Sequence, residues 1–492
     1  MLFNSYIFIL LFLPLTVCGY YLLGKTKRYN LPKLFLLGMS LWFYAYFNIK
    51  YLYIIVISIL FNYLLYILFF KIRGPKVRKT LLIIGIIANI SVLFNYKYLG
   101  FCTENVNLLL RTDFVVKHLV LPLGISFFTF QQFSFVVDSY KGLVPRYSFP
   151  EYALFVVFFP QLIAGPIVLH DEIIPQFQNE NRFRFSSENF SKAIFAFAYG
   201  LAKKVLIADT FGNLANIGFE KIAYLDSTNA ILAVLSYTIQ IYFDFSGYCD
   251  MAVGLGLMFN IHIPQNFNSP YKSLDMNEFW QRWHISLTRF FRTNLYFPLG
   301  GNRKGAVRTY VNYFIVFLAS GIWHGANWTF FLWGALNGIL VIISKLFSDK
   351  ISYVKKKAPF VMWILTFICT NLLWVYFRSD SIADANRLLT RIFSCNFGAI
   401  RSDFIDVFQT AEFSCVSWII SKFSESAAQT YTLVLLVLCF AFAVFASVKM
   451  KNLNERLETF KPDFKTWSFS VIAVIWSLIS LSGVSTFLYF NF

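Results

Sequence analysis

Long apolar runs separated by short basic loops make up most of this chain. Residues 34–70 form two such runs around a break at Asn48-Ile49-Lys50, which predicts a helical hairpin. Residues 1–23 predict a first crossing and residues 467–488 a last one. The first run has neither a basic leader nor a small-residue cleavage site, so a retained helix is expected, not a signal peptide. At 492 residues there is room for about ten to twelve spans of ~20 residues each. One stretch breaks the pattern. Phe158-Phe159-Pro160-Gln161-Leu162-Ile163-Ala164-Gly165-Pro166 carries two prolines and a glycine within an apolar run, which predicts a broken or re-entrant segment buried in protein. Lys203 and Lys204 interrupt another run, leaving the spans between 150 and 265 open.

Composition narrows the class. The chain is 58% hydrophobic and 14% charged, too much apolar surface for a soluble fold, so it reads as an all-α, polytopic integral membrane protein. The formal charge of +18 sits mainly in the loops, as the positive-inside rule requires, and does not point to nucleic acid. Placing Lys25 to Lys33, Lys71 to Lys79, Lys345 to Lys357 and Lys449 to Lys465 in the cytoplasm gives one consistent orientation. It puts residues 378–430 outside, with Ala383 to Phe393 as an amphipathic surface helix, and carries the end of the 467–492 segment outside as well. Cys395 and Cys415 fall in that outer stretch, where a disulfide and two free thiols are both open. The seven cysteines show no metal-binding spacing, and no metal is expected. No internal repeat or soluble domain is evident, so residues 1–492 read as a single integral membrane domain.

The candidate chemistry lies in two histidine motifs, Trp283-His284-Ile285-Ser286 and Trp323-His324-Gly325-Ala326-Asn327. Imidazole moves protons near neutral pH, and an ionisable group near the bilayer is costly without a partner or a function. A histidine tying two helices together is the plain alternative, worth about a kcal/mol. Between the motifs runs the basic turn Phe297-Pro298-Leu299-Gly300-Gly301-Asn302-Arg303-Lys304-Gly305. Taken as one helix, Phe279 to Leu295 gathers Arg282, Arg289 and Arg292 on one side at about 100° per residue, with His284 nearly opposite Arg282. The arginines then face phosphates or lipid headgroups, and interfacial anchoring alone explains them as well. Gln240, Asp244 and Tyr248 share a helical face; Asp244 either orients a histidine or substrate or pairs with Lys203 or Lys204. Tyr489, in the closing Phe487-Leu488-Tyr489-Phe490-Asn491-Phe492, reads by itself as a border aromatic.

These residues together resemble the membrane-bound O-acyltransferase superfamily, in its bacterial alginate O-acetylase branch. The resemblance runs from Met1-Leu2-Phe3-Asn4-Ser5 and Gly165-Pro166 through Gln240 to Tyr248, Phe279 to Leu287, Leu299 to Gly305 and Gly321 to Gly325. It continues through Trp374 to Arg378 to the closing aromatic motif. It implies a helical membrane fold with re-entrant or interfacial helices around a central funnel. It also implies acetyl-coenzyme A as a cytoplasmic donor substrate, no bound cofactor, and a glycan acceptor outside a bacterial inner membrane. His324 matches the family's catalytic histidine and His284 its second polar position. Tyr489 sits in a motif similar to an acyl relay. A partner with a serine nucleophile (SGNH-type) outside the membrane is implied as well. On this basis the expected substrate-binding residues are Trp283, Trp323, Asn327, Asp244 and the basic Arg282, Arg303 and Lys304.

Two other readings remain. D-alanyl transfer to teichoic acids belongs to a sister branch with the same histidine; the basic turn and the longer C-terminal part favour the acetylase. A proton-coupled transporter would use Asp244 and the histidines as a relay. The lack of repeated halves counts against it.

Overall fold

The computed structural model describes the chain apart from Lys27, Tyr29, His118, residues 482–486 and 489–492, and gives only the backbone of Ala411. The described residues form helices and no strands. Among the described residues, six helices are long and apolar enough to cross a membrane: Ile49–Lys71, Pro75–Lys97, Ser227–Met258, Trp328–Leu346, Pro359–Arg378 and Glu425–Val448. Phe8–Gly24 and Phe464–Ile479 are apolar but shorter. Two compact units emerge, one from Met1–Phe197 with Cys249–Gln265, the other from Ala198–Tyr248 with Asn266–Phe492.

In the first unit the expected hairpin is present. Helix Asn30–Ala45 ends before a 3-10 turn at Ile49–Tyr51, where the Asn48 side chain accepts from the Lys50 amide at 2.9 Å. Helices Leu52–Lys71 and Pro75–Lys97 are apolar on nearly every side, yet each buries one asparagine. Asn62 and Asn89 exchange amide hydrogen bonds at 3.1 and 2.8 Å, so neither is stranded in an apolar environment. The proline-rich stretch is broken as expected: Phe149–Val157 stops, and a single turn, Phe159–Leu162, follows. This backbone is buried, and Gln161 donates to the Phe155 carbonyl at 2.8 Å.

The second unit carries both histidine motifs. Its central feature is the pair Ala306–His324 and Trp328–Leu346, antiparallel helices joined by three residues. Glycines let the backbones touch. A Cβ on Gly334 would stand 2.6 Å from the Phe317 carbonyl oxygen and 3.0 Å from the Gly321 Cα. The contact lies one turn before His324, so it fixes that end of the helix. The basic turn is tied to the same helix by Asn312, whose amide donates to the Gly301 carbonyl at 2.8 Å. Gly300, Gly301 and Gly305 all have positive φ, which glycine alone adopts cheaply.

One expectation meets a different outcome here. Phe279 to Leu295 is not one helix: Met276–Arg282 stops at Trp283, His284 is left-handed at φ 46°, and Ile285–Phe291 begins anew before a π-helical stretch at Arg292–Tyr296. The cause is the loop at 266–268, which hydrogen-bonds the chain where the helix would continue. Asn268 N–H donates to the Arg282 carbonyl at 2.9 Å and Ile285 N–H to the Asn266 carbonyl at 3.0 Å. Cys395 and Cys415, left open above, are both free thiols. The Ala383 to Phe393 stretch forms its amphipathic helix, as Ile382–Phe393.

The close helix crossing makes a stability prediction. Gly334→Ala should lower the thermal midpoint of the protein in lipid, since overpacking of this kind costs about 1–3 kcal/mol. Gly38→Ala, where nothing lies within 4 Å of the added carbon, should leave it unchanged or slightly higher.

Candidate active site

The break at Trp283-His284 has a purpose that a continuous helix could not serve. It turns the His284 ring inward, where it is buried against Phe245, with ring centroids 4.8 Å apart at 86°. His324, the last residue of its helix, is buried as well. The two imidazole centroids lie 6.4 Å apart, and Trp323 is in ring contact with both, at 6.1 Å from His284 and 4.9 Å from His324. Trp333 and Phe377 close the other sides of His324, each at 5.2 Å. Trp374 stacks on Trp333 at 5.9 Å and meets Trp283 at 5.0 Å. Helices Trp328–Leu346 and Pro359–Arg378 therefore supply an aromatic wall around a pair of imidazoles. Such a wall excludes water and strengthens electrostatic interactions inside it.

The protonation of His284 follows from its partner. The Asn266 side-chain atom at 3.2 Å from its Nδ1 also accepts from the Ser286 backbone N–H at 3.2 Å and from the Ser286 hydroxyl at 2.9 Å. An atom that receives a backbone N–H is the amide oxygen, so Nδ1 must be the donor. Nε2 then carries the ring's lone pair, which is the form a general base requires. His284 lies outside the six spanning helices, and burial pushes its pKa well below the ordinary imidazole value, which keeps the ring neutral.

The other expected site residues are distributed unevenly. Trp323 lies between the histidines, whereas Trp283 is packed among Tyr242, Phe267, Phe279 and Trp374, in the wall behind them. Asn327 caps its helix by accepting from Thr329 N–H at 3.0 Å and donates to the Asp380 carbonyl at 2.8 Å. Arg282 pairs with Glu278 at 2.9 Å and donates to the Asn268 carbonyl at 3.2 Å. Arg303 and Lys304 are exposed on the glycine turn. Asp244 is not beside a histidine but bound to Lys204 at 2.6 Å. Tyr489 lies outside the described residues. Asn266 is the residue that sequence reasoning missed. Its one available signal was its place in the polar stretch Asn260 to Asn268, following a long apolar helix.

Histidine-selective 15N spectra test the tautomer directly. The native protein should show His284 with a protonated Nδ1 and a bare Nε2, the resonances being those absent from His284→Gln. Asn266→Ala should release the Nε2–H tautomer, and Asn266→Asp, which still offers an oxygen, should not.

Comparison with known proteins agrees with this architecture. The model of the membrane-bound O-acyltransferase (MBOAT) family matches residues 104–382, a span that includes both histidines. The chain is 39% identical to a peptidoglycan O-acetyltransferase of Helicobacter pylori, over 100% of its own length and 98% of that protein. It is 37% identical to a protein named probable alginate O-acetylase from Pseudomonas aeruginosa, over 80% of this chain and 75% of the relative. A teichoic acid D-alanyltransferase of Bacillus subtilis is 25% identical over 47% of this chain and 60% of its own. With its helical, multi-pass architecture and its buried histidine pair, this chain belongs to the membrane-bound O-acyltransferase family and is an acyltransferase.

Proposed function

We propose that the protein takes acetyl from acetyl-coenzyme A on the cytoplasmic side and passes it outward for O-acetylation of an extracytoplasmic polysaccharide, peptidoglycan or an alginate-like polymer. The observation that carries this reading is the imidazole pair 6.4 Å apart inside an aromatic wall. Two neighbouring rings, tilted at 59°, suit a step in which one takes a proton while the other orients the reacting group. The choice of acetyl follows the relatives, whose O-acetyltransferase matches extend over far more of the chain than the D-alanyltransferase match does.

In this account His324 is the general base, since it ends a helix locked by the glycine crossing. It removes the proton from an incoming hydroxyl, which attacks the thioester carbonyl. The bond to sulfur breaks and coenzyme A leaves as its thiol once protonated. His284, whose Nε2 can only accept, orients the incoming hydroxyl. Arg303 and Lys304, exposed on the turn, are suited to meet the phosphates of coenzyme A. Arg282 is less available, its guanidinium being already held by Glu278. Asn327 has one amide hydrogen beyond its bond to Asp380 to offer a substrate. Tyr489 is the hydroxyl that receives acetyl first, as an ester, and an outer serine-nucleophile partner then takes it on to the glycan. Only a small neutral acyl group crosses, so no charged sugar need enter the bilayer. The basic loops support a cytoplasmic donor side and an outer Tyr489, and in this account the membrane is a bacterial inner membrane.

The test is transfer of radiolabelled acetyl from acetyl-coenzyme A to purified protein in lipid. The native chain should retain label, while His324→Ala and Tyr489→Phe should each lose it by about 100-fold or more. Label lost only in His324→Ala would keep the acetylase and remove the relay. Absence of both label and thioester turnover, with glycan and partner supplied, would overturn the reading.

A further inference from the structure

The reaction above gives no part to Lys204 and Asp244, a deeply buried ion pair of the second unit. Lys204 lies in a π-helical stretch, Lys203–Ala208, between helices Ser187–Ala202 and Asp209–Glu220. Its ammonium is held by two carboxylates, Asp244 at 2.6 Å and Asp209 at 2.7 Å. Burying such a group is costly, and replacing a buried pair by apolar residues is often neutral or stabilising, so stability alone is a weak reason for it.

Its surroundings supply a better one. Oδ1 of Asp244 faces Lys204, and Oδ2 accepts the backbone N–H of Leu488 at 3.0 Å. The neighbouring Phe487 lies over the same ammonium, 4.8 Å from nitrogen to ring centroid. Tyr248, one turn beyond Asp244, meets that ring edge-on at 4.6 Å and 89°. A hydrogen bond to a charged acceptor, a cation–π contact and an aromatic edge thus converge on two consecutive residues. Tyr489 is the next residue in the chain. On the other side of the same helix turn, Phe245 follows Asp244 and packs against His284 at 4.8 Å. One turn of helix Ser227–Met258 therefore contacts both the histidine site and the residues just before Tyr489.

We propose that Lys204 and Asp244 form a docking clamp on Phe487 and Leu488, the two residues before Tyr489, and so serve acyl transfer. Lys204 is the fixed charge, Asp244 the bridge, and Phe487 with the Leu488 amide the docked elements. The inference rests on the relay reading of Tyr489. Both residues are positioning residues, since they touch the docked segment and not the acyl group.

The clamp is tested on the full chain in lipid nanodiscs with two independent readouts. One is hydrogen exchange at the Leu488 amide; the other is acetylation of Tyr489 followed by mass spectrometry. Asp244→Ala should speed Leu488 exchange about tenfold, as loss of one hydrogen bond does. It should slow Tyr489 acetylation by about 100-fold while the KM for acetyl-coenzyme A stays within about twofold, the pattern of misplacement and not of lost binding. Asp244→Asn, which retains an oxygen for Leu488, should keep part of the protection. Phe487→Ala, which spares the ion pair, should reproduce both effects even where Asp244→Ala fails to fold. Unchanged Leu488 exchange alongside lost acetylation would overturn docking and assign Asp244 to the chemistry. Faster exchange with unchanged acetylation would overturn the positioning role. If native Tyr489 is never acetylated yet Leu488 exchange still depends on Asp244, docking stands and the relay falls.

Discussion

The arrangement of the site depends on one atom, the side-chain oxygen of Asn266. It accepts from the Ser286 amide, the Ser286 hydroxyl and His284 Nδ1. Those bonds satisfy buried groups that would otherwise cost a few kcal/mol, and they hold His284 in a left-handed conformation that few residues adopt. The same oxygen selects the tautomer. The helix break, the inward ring and the basic nitrogen are thus consequences of one local network. Remove the network, and the continuous helix expected over Phe279 to Leu295 becomes the competing state.

Packing fixes the end of the helix that carries the second histidine. Gly321 and Gly334 bring two helices to backbone contact, and Trp333 and Phe377 fill the space beyond. Small residues at such crossings are how membrane helices associate closely without a hydrophobic driving force. The two imidazoles therefore lie 6.4 Å apart, one on a hydrogen-bonded loop and one at a close helix crossing. This division suits an acyl transfer in which water must be kept from a thioester, since neither ring needs solvent to hold its position.

Much of this was legible in the sequence, and the rest failed for identifiable reasons. His284 and His324 stood out because ionisable residues in apolar runs are rare. The hairpin turn at Asn48 and the break near Pro160 follow from residue types that end helices wherever they occur. The break at Trp283 was not legible, because no proline or glycine marks it; it comes from the loop at 266–268, earlier in the chain. Asn266 was missed for the same reason. The choice between Asp244 partners was left open because periodicity gives a face and not its neighbour; the structure selects Lys204. Arg282, expected to face phosphates, is occupied by Glu278, which lies four residues earlier and was available to pair all along.

The central claim is that the two histidines act in one chemical step. A double-mutant cycle tests it, with release of coenzyme A from acetyl-coenzyme A measured for native protein, His284→Ala, His324→Ala and the double variant in the same lipid. Groups that work as a unit are strongly non-additive, so the double variant should be no slower than the worse single variant by more than about twofold. If the two losses simply multiply, or if either single variant keeps native turnover, the histidines do not share a step and the account is wrong.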